Sequence, residues 1–431
     1  MPDRQITVAP HGHVLTNTAV WSPDSRWLVY DTRSTADGGV FDGVRIERVE
    51  AETGRVEVLY ESRHGACCGV VTCSPLDDRV AFILGPEHPT ADWTYGPARR
   101  QGVVVRATRP GAAEALDARD LVPPFTAGAL RGGSHVHVFS PDAAALSFTY
   151  EDALLDGKTT TGLRGVGVCV CDRPVRVPAG HPRNHDGSAF SVLVTRLVTA
   201  PRPGSDEIGR ACEESWIGSA GYRRCDGSWQ KRALAFQGHV RSAAGGTIAE
   251  VFVVDLPDDL ADLVRPGEAP LSGTPDTLPA PPRGVLQRRI TTTSERRHPG
   301  IQGPRHWLRS SPDGERIAFL MKDDAGVVQI FTVSPRGEPP RQLTRLPWPI
   351  ASSFTWSPDG GQLACVVDGS VCLVDAADGG LRRLTPPEHG PAAPRPEACV
   401  FAPDGTRVAY VRRVPCRGGS CNQLFAVETP P

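Results

Sequence analysis

The chain has 431 residues, 39% of them hydrophobic and 22% charged, which suits a folded protein with ample core material and excludes disorder throughout. Its 47 basic and 49 acidic residues leave a formal charge of −2, so there is no overall field to gather nucleic acid or an anionic membrane. The start, MPDRQITVAPHGHVLTN, has no basic stretch followed by an apolar run, and no run of 18 apolar residues occurs anywhere; the expectation is a cytoplasmic protein with no membrane span.

In chain order, HVLT at residues 13–16 reads as a strand standing ahead of the first repeat. One phrase then recurs: WSPDSRWLVY from Trp21, CSPLDDRVAF from Cys73, FSPDAAALSF from Phe139, SSPDGERIAF from Ser310, WSPDGGQLAC from Trp356 and FAPDGTRVAY from Phe401. A weaker copy, NHDGSAFSVL from Asn184, falls in the otherwise silent stretch between the third and fourth clear copies. Ser-Pro-Asp-Gly has the chemistry of a type I turn, and the short apolar runs after it, such as Ile317 to Leu320, read as buried strands. A third strand (QIFTV, ending at Val333) and a fourth (ending in RQLT at Thr344) follow, giving four strands per unit at about 45-residue spacing. The fold class is therefore all-β: one closed propeller over residues 1–431, of seven four-stranded blades, with six or eight left open by the degenerate stretch.

Closure is expected from the termini. The last blade ends after its third strand, near Ala426, and HVLT is free to complete it, which removes both open sheet edges. The blade 4 region, about 178–291, is degenerate and holds an insertion at about 203–231, in which SDEIGRACEESWIG suggests a short helix. Twelve cysteines at irregular spacing read as small core hydrophobes. Cys169 and Cys171 share a strand face but lack a second pair at finger-like spacing, and a Cys416–Cys421 bond is geometrically open yet disfavoured in a reducing cytosol.

The SPDG, IAF and LT punctuation resembles the TolB-type WD40-like repeat over nearly the whole chain. More narrowly, RGGSHVHVFSP (131–141), PGSDEI (203–208), APLSGT (269–274), LPAPPRGV (278–285) and PRHW (304–307) resemble the bacterial YidR family. ILGPEHPTADW (83–93) is similar to a segment of oligogalacturonate lyases, a resemblance that implies a seven-bladed ring with a divalent metal held by channel histidines.

Six residues before the turn proline, His135 and His306 occupy equivalent places in two blades, with Glu397 at the same place in the last. His137 lies on the same side of its strand as His135, and His181 falls nearby if the degenerate blade is registered through Asn184. These histidines would hold zinc or manganese, or else hydrogen-bond backbone between blades. Arg131, Arg305 and Arg309 flank them and suit a carboxylate or phosphate; the other reading is interblade ion pairing. Glu87 and His88 form a polar loop that binds ligand or merely packs. Asp206, Glu207, Glu213 and Glu214 offer acid–base carboxylates or a solvated helix face.

No G-x-S-x-G, P-loop, dinucleotide fingerprint or basic-aromatic nucleic-acid tract occurs. Two functions remain. One is a small-molecule site at the channel mouth for an anionic sugar or similar ligand; if enzymatic, it is a metal-assisted lyase or hydrolase. The other is a non-catalytic scaffold that meets a protein partner through the blade 4 insertion.

Overall fold

The structure is a computed structural model that describes residues 3–15, 18–35, 38–155, 162–304, 307–397, 399–416 and 419–430. Each Ser-Pro-Asp turn closes on its own side chains. Ser311 Oγ donates to Asp313 Oδ1 at 2.5 Å and accepts the amide of Arg316 at 3.0 Å, while Asp313 Oδ1 accepts the amide of Glu315 at 3.0 Å. Ser140 with Asp142, and Ser357 with Asp359, repeat the device. The fourth turn position needs a positive φ, which Gly314, Gly360 and Gly405 take freely at +75°, +73° and +73°. Ser25 (+58°) and Ala143 (+53°) are held there without a glycine's freedom.

The turns punctuate seven four-stranded antiparallel sheets, each ordered from first strand to fourth, arranged as a propeller. Blade 1 comprises Gly12–Val14, Trp27–Arg33, Arg45–Glu50 and Val56–Glu61. Blade 2 comprises Cys68–Cys73, Arg79–Leu84, Gln101–Arg106 and Arg109–Ala115. Blade 3 comprises Gly132–Phe139, Ala145–Asp152, Gly165–Val170 and Phe190–Leu193. Blade 4 comprises Ile208–Trp216, Ala233–Arg241, Thr247–Asp255 and Leu286–Arg289. Blades 5 and 6 start at Arg309–Ser310 and Thr355–Trp356 and end at Arg341–Gln342 and Leu381–Arg383. Blade 7 takes Val400–Phe401, Arg407–Cys416 and Gly419–Glu428 from the C-terminus and its fourth strand, Arg4–Gln5, from the N-terminus. Ser-Pro-Asp turns lie on one face. The loops between second and third strands, and the crossings from blade to blade, lie on the other.

Blades are joined by repeated polar contacts between their innermost strands. The indole N–H of Trp21 donates to Val400 O (3.1 Å), that of Trp216 to Val138 O (3.0 Å) and that of Trp356 to Arg309 O (2.9 Å), each across a blade boundary. An arginine opening the second strand of one blade stacks on the aromatic that precedes the next blade's turn. Arg79 lies over Phe139, Arg316 over Trp356 and Arg407 over Trp21, at 5.2, 4.9 and 5.5 Å.

Closure by an N-terminal strand is as expected, but the strand is not HVLT. Arg4 pairs with Ala426 and Gln5 with Phe425, whereas Gly12–Val14 pairs with Trp27–Arg33 as the innermost strand of blade 1; Thr16 lies outside the described residues. Burial explains the choice. Gly12, His13 and Val14 are all buried and need an inner position, while the exposed Arg4 and Gln5 suit an outer edge.

The degenerate blade also differs from expectation. SDEIGRACEESW contains no helix: Ile208–Trp216 is the nine-residue innermost strand of blade 4, and its pairing with Ala233–Arg241 outweighs the helix propensity of Glu and Ala. The Ser-Pro-Asp turn is replaced here by residues 217–232, which carry a small hairpin of Tyr222–Arg223 and Trp229–Gln230. Asn184 starts no blade but sits between the third and fourth strands of blade 3, where it accepts from the Leu121 amide (2.9 Å) and donates to Asp120 (3.0 Å). Cys416 and Cys421 are disulfide-bonded near the end of the blade 7 hairpin. Among the described residues no helix is long and apolar enough to cross a membrane.

Deleting residues 1–8 removes the outer strand of blade 7 together with the bonds from Tyr410 and Arg412 to Asp3. The expected outcome is a lower thermal midpoint and self-association through the opened Gly419–Glu428 edge, read by calorimetry and light scattering.

Candidate functional site

Three consecutive innermost strands carry one irregularity. Val70, Val136 and Glu213 have φ of +58°, +58° and +59°, at register shifts between Gly69 and Thr72, His135 and Val138, and Cys212 and Ser215. A left-handed conformation costs an ordinary residue roughly 1–2 kcal/mol, so the surroundings must impose it. The bulge moves the inward-facing position from six residues before the turn proline to five. Val70, Val136 and Trp307 share that place, and with Ile83 and the partly buried Phe41 they form one apolar cluster. Innermost strands of blades 2 and 3 and the segment leading into blade 5 thus pack together.

The mouth on the loop face is cationic. His135, partly buried, has its pKa driven well below the ordinary value by burial and then by Arg100, Arg164, His137 and Arg33, so these side chains from three blades share one field. Arg33 is paired with Asp31 at 2.5 Å and lies 4.5 Å from the Phe41 ring, which stacks on Tyr95. Arg164 faces Glu151 at 3.1 Å. Arg100, 6% exposed, meets the Tyr95 hydroxyl at 3.5 Å, its Nε has no partner, and burial lowers its pKa. Arg309 stands apart from this mouth, at the turn end of its strand just ahead of Ser311; 8% exposed, it donates to Leu308 O at 2.8 Å and lies 5.2 Å from the Trp307 ring. Burial pushes its pKa down to about 10, against the pull of Glu213 and Glu214.

The other expected residues scatter. His137 does not share the mouth with His135: the bulge turns it into the blade 2–blade 3 boundary, fully buried, 4.0 Å from Asp117 and with both nitrogens unpartnered. Burial and then Arg100 take its pKa to about 3. Arg131 is a clamp, not a ligand arm; fully buried, it holds Asp152 through Nε (3.1 Å) and Nη2 (2.6 Å), and also the carbonyls of Thr274 and Thr277. His181 sits in the outer loop of blade 3, 6.3 Å from the Trp93 ring, and accepts the Arg183 amide. Glu87 and His88 are exposed, their carbonyls taken by Arg183. Glu397 is buried, 3.7 Å from Arg395. Glu207 pairs with Arg202 and Asp206 with Arg289. Arg305 and His306 lie outside the described residues.

Of the expected metal set His135, His137, His306 and His181, His306 lies outside the described residues, and the other three form no cluster among those described. His11, His13 and Glu47 do, with one ligand atom from each lying within 4.8 Å of the others. Cys169 Sγ and Ser191 Oγ share a hydrogen bond, and Cys171 is approached by Arg79. Arg33, Arg100 and Arg164 carried no motif, because each stands at a strand end where arginine is ordinary. The H-x-H of His11 and His13 was a readable signal that the closing-strand assignment obscured.

Two comparisons of sequence place the chain. Residues 67–185 match the family described as "Protein of unknown function (DUF3748)". Over 428 residues the chain is 46% identical to "Uncharacterized protein YidR" of Escherichia coli (strain K12), a match covering 99% of this chain and 97% of that protein. The chain belongs to the YidR family. Among solved structures, an oligogalacturonate lyase in complex with manganese aligns with a TM-score of 0.56 at 14% identity, covering 98% of this chain and 90% of that one. An oligogalacturonate lyase from Vibrio parahaemolyticus aligns at 0.55 and 11%, covering 99% and 93%. At such identities the likeness is one of fold, so this YidR-family chain has a lyase-like propeller, and the manganese is a property of that lyase.

Glu214 follows the blade 4 bulge as His137 follows that of blade 3, and it is 1% exposed with no partner of hydrogen-bond geometry for either oxygen. Burial raises its carboxyl from an ordinary 4.5 to about 8. Between those values the folded chain holds a proton that the unfolded chain releases, so this group's contribution to stability falls as pH rises from about 4.5 to 8. In urea melts, Glu214→Gln is expected to match the parent near pH 5 and to exceed it by a few kcal/mol, in order of magnitude, at pH 9.

Proposed function

We propose that this YidR-family propeller binds a small carboxylate-bearing ligand, an acidic sugar such as a uronate, at the loop-face mouth of its channel. The observation that carries the reading is Arg100: a guanidinium 6% exposed whose one hydrogen-bond partner among the described residues is the Tyr95 hydroxyl, 3.5 Å away. Glu151 attracts Arg100 without a hydrogen bond to it; a buried charge so incompletely paired costs several kcal/mol, and a ligand carboxylate would offset that cost through paired charge-assisted bonds. Arg33 and Arg164, although paired with Asp31 and Glu151, add to the same field. His135 is neutral there, so it would give or accept a hydrogen bond with a sugar hydroxyl rather than add charge. Phe41 and Tyr95, stacked at 4.8 Å beside Arg33 and Arg100, supply an apolar wall on which a pyranose face could lie. The reading needs no metal at the mouth. The lyase-like fold supports acidic carbohydrate as the class to try first, and cytoplasmic localisation remains our proposal.

The test is a thermal-shift and calorimetric titration with galacturonate, glucuronate and short oligogalacturonates, set against neutral glucose. Uronates are expected to raise the melting temperature, and Arg100→Gln to weaken binding at least about tenfold, a change of about 1.4 kcal/mol. Binding of glucose equal to that of the uronates, or unchanged affinity in Arg100→Gln, would reject the assignment.

A second reading rests on the blade 4 hairpin. Trp229 leaves 49% of its surface exposed there, on the turn face away from the mouth, which supports a protein-docking role. Proteins recovered with the full chain are then expected to be lost with Trp229→Ala.

A further inference from the structure

At the seam between blades 7 and 1, two separate parts of the chain bring two imidazoles and a carboxylate together. His11 and His13 are two residues apart at the blade 1 entry, and their rings stack at 4.6 Å. Glu47, on the third strand of blade 1, brings Oε2 to 3.9 Å from His11 Nε2. None of these residues belongs to the channel mouth.

The surrounding bonds orient all three groups. His13, fully buried, has Nδ1 at 3.2 Å from the carbonyl oxygen of Asn422; a carbonyl only accepts, so Nδ1 carries the hydrogen and Nε2 keeps its lone pair. That Nε2 is buried and has no partner. The Tyr30 hydroxyl donates to Glu47 Oε2 at 2.8 Å. Gln423 Nε2 holds the carbonyls of Ala9 (2.7 Å) and His11 (3.2 Å), which pins the entry segment to blade 7. A backbone carbonyl behind an imidazole and a hydroxyl behind a carboxylate are the outer contacts that metal ligands characteristically make. An ion pair between His11 and Glu47 alone would leave the His13 lone pair buried and unused.

We propose that His11, His13 and Glu47 form a binding site for a divalent cation of the zinc class, with solvent as fourth ligand, and that the ion staples the closure of the ring. Two histidines and one glutamate form a known zinc donor set. Zinc bonds of about 2.0–2.1 Å require ligand atoms about 3.3 Å apart. The three ligand atoms now lie within 4.8 Å of one another, so an ion would have to draw them inward, and the His11 side chain, 34% exposed, has room to move. The ion would tie residues 11 and 13 to the third strand of blade 1, and through Asn422 and Gln423 to the third strand of blade 7.

The experiment uses tag-free, full-length protein stripped with a chelator. Calorimetric titration with ZnCl2 is expected to give one site of micromolar or tighter affinity, and one equivalent of zinc to raise the melting temperature by several degrees. One equivalent of Co2+ is expected to give the visible absorption of a four-coordinate ion. His11→Ala and Glu47→Gln, each referred to its own metal-free melting temperature, are expected to weaken zinc at least tenfold and abolish the cobalt spectrum. His13→Ala leaves a cavity in the seam, so a failure of that variant to fold is not used. No zinc binding by the parent overturns the proposal, as does zinc binding that persists unweakened in both His11→Ala and Glu47→Gln. A failed uronate titration with intact zinc binding would count against the mouth reading alone.

Discussion

An indole N–H given to the innermost strand of the preceding blade recurs in blades 1, 4 and 6, and the rest of the ring is arranged so that such gifts can be made. A four-stranded blade cannot bury both of its faces alone, and it becomes stable only against neighbours on either side. Trp21 and Trp356 sit two residues before the turn proline, where the innermost strand still lies against the preceding blade. An arginine from that neighbour covers the ring, as Arg407 covers Trp21 and Arg316 covers Trp356. Where blade 4 loses its Ser-Pro-Asp turn it keeps the indole, since Trp216 still reaches Val138. The turn is dispensable as long as the boundary contact survives.

The ring also explains how charged groups come to lie out of water. Innermost strands converge, so a residue at a strand end faces its counterparts from neighbouring blades as well as solvent. Arg33, Arg100 and Arg164 come from three different blades and act on one histidine. Arg131 has a complete set of partners and is architecture; Arg100 lacks one and is a candidate for binding. Since both are buried arginines near the same end of the ring, the distinction rests on hydrogen-bond accounting and not on position.

Much of the fold was legible because its grammar is local. A turn that spends proline, aspartate and serine on its own amides can be read from four letters, and six such turns with strands between them imply a propeller. What could not be read depended on contacts distant in sequence. HVLT and the Arg4–Gln5 pair are both plausible strands, and only the buried place of His13 against Asn422 decides which goes inside. Ile208–Trp216 has a helical composition and becomes a strand because Ala233–Arg241 lies beside it. The site suffered most. Counting back from the turn proline found the right strands, but a bulge at Val136 rotates every residue beyond it, so His135 and His137 part company. Period-two reasoning holds only while the pleat is unbroken.

Val70, Val136 and Trp307 pack against one another at 6%, 3% and 9% exposure. Two of them bear an unfavourable backbone conformation in order to do so. Side chains that start from separate blades thus hold one another in place, and the apolar contacts at their centre offset the strain that Val70 and Val136 carry. A polar residue at any of the three would loosen more than one blade at once.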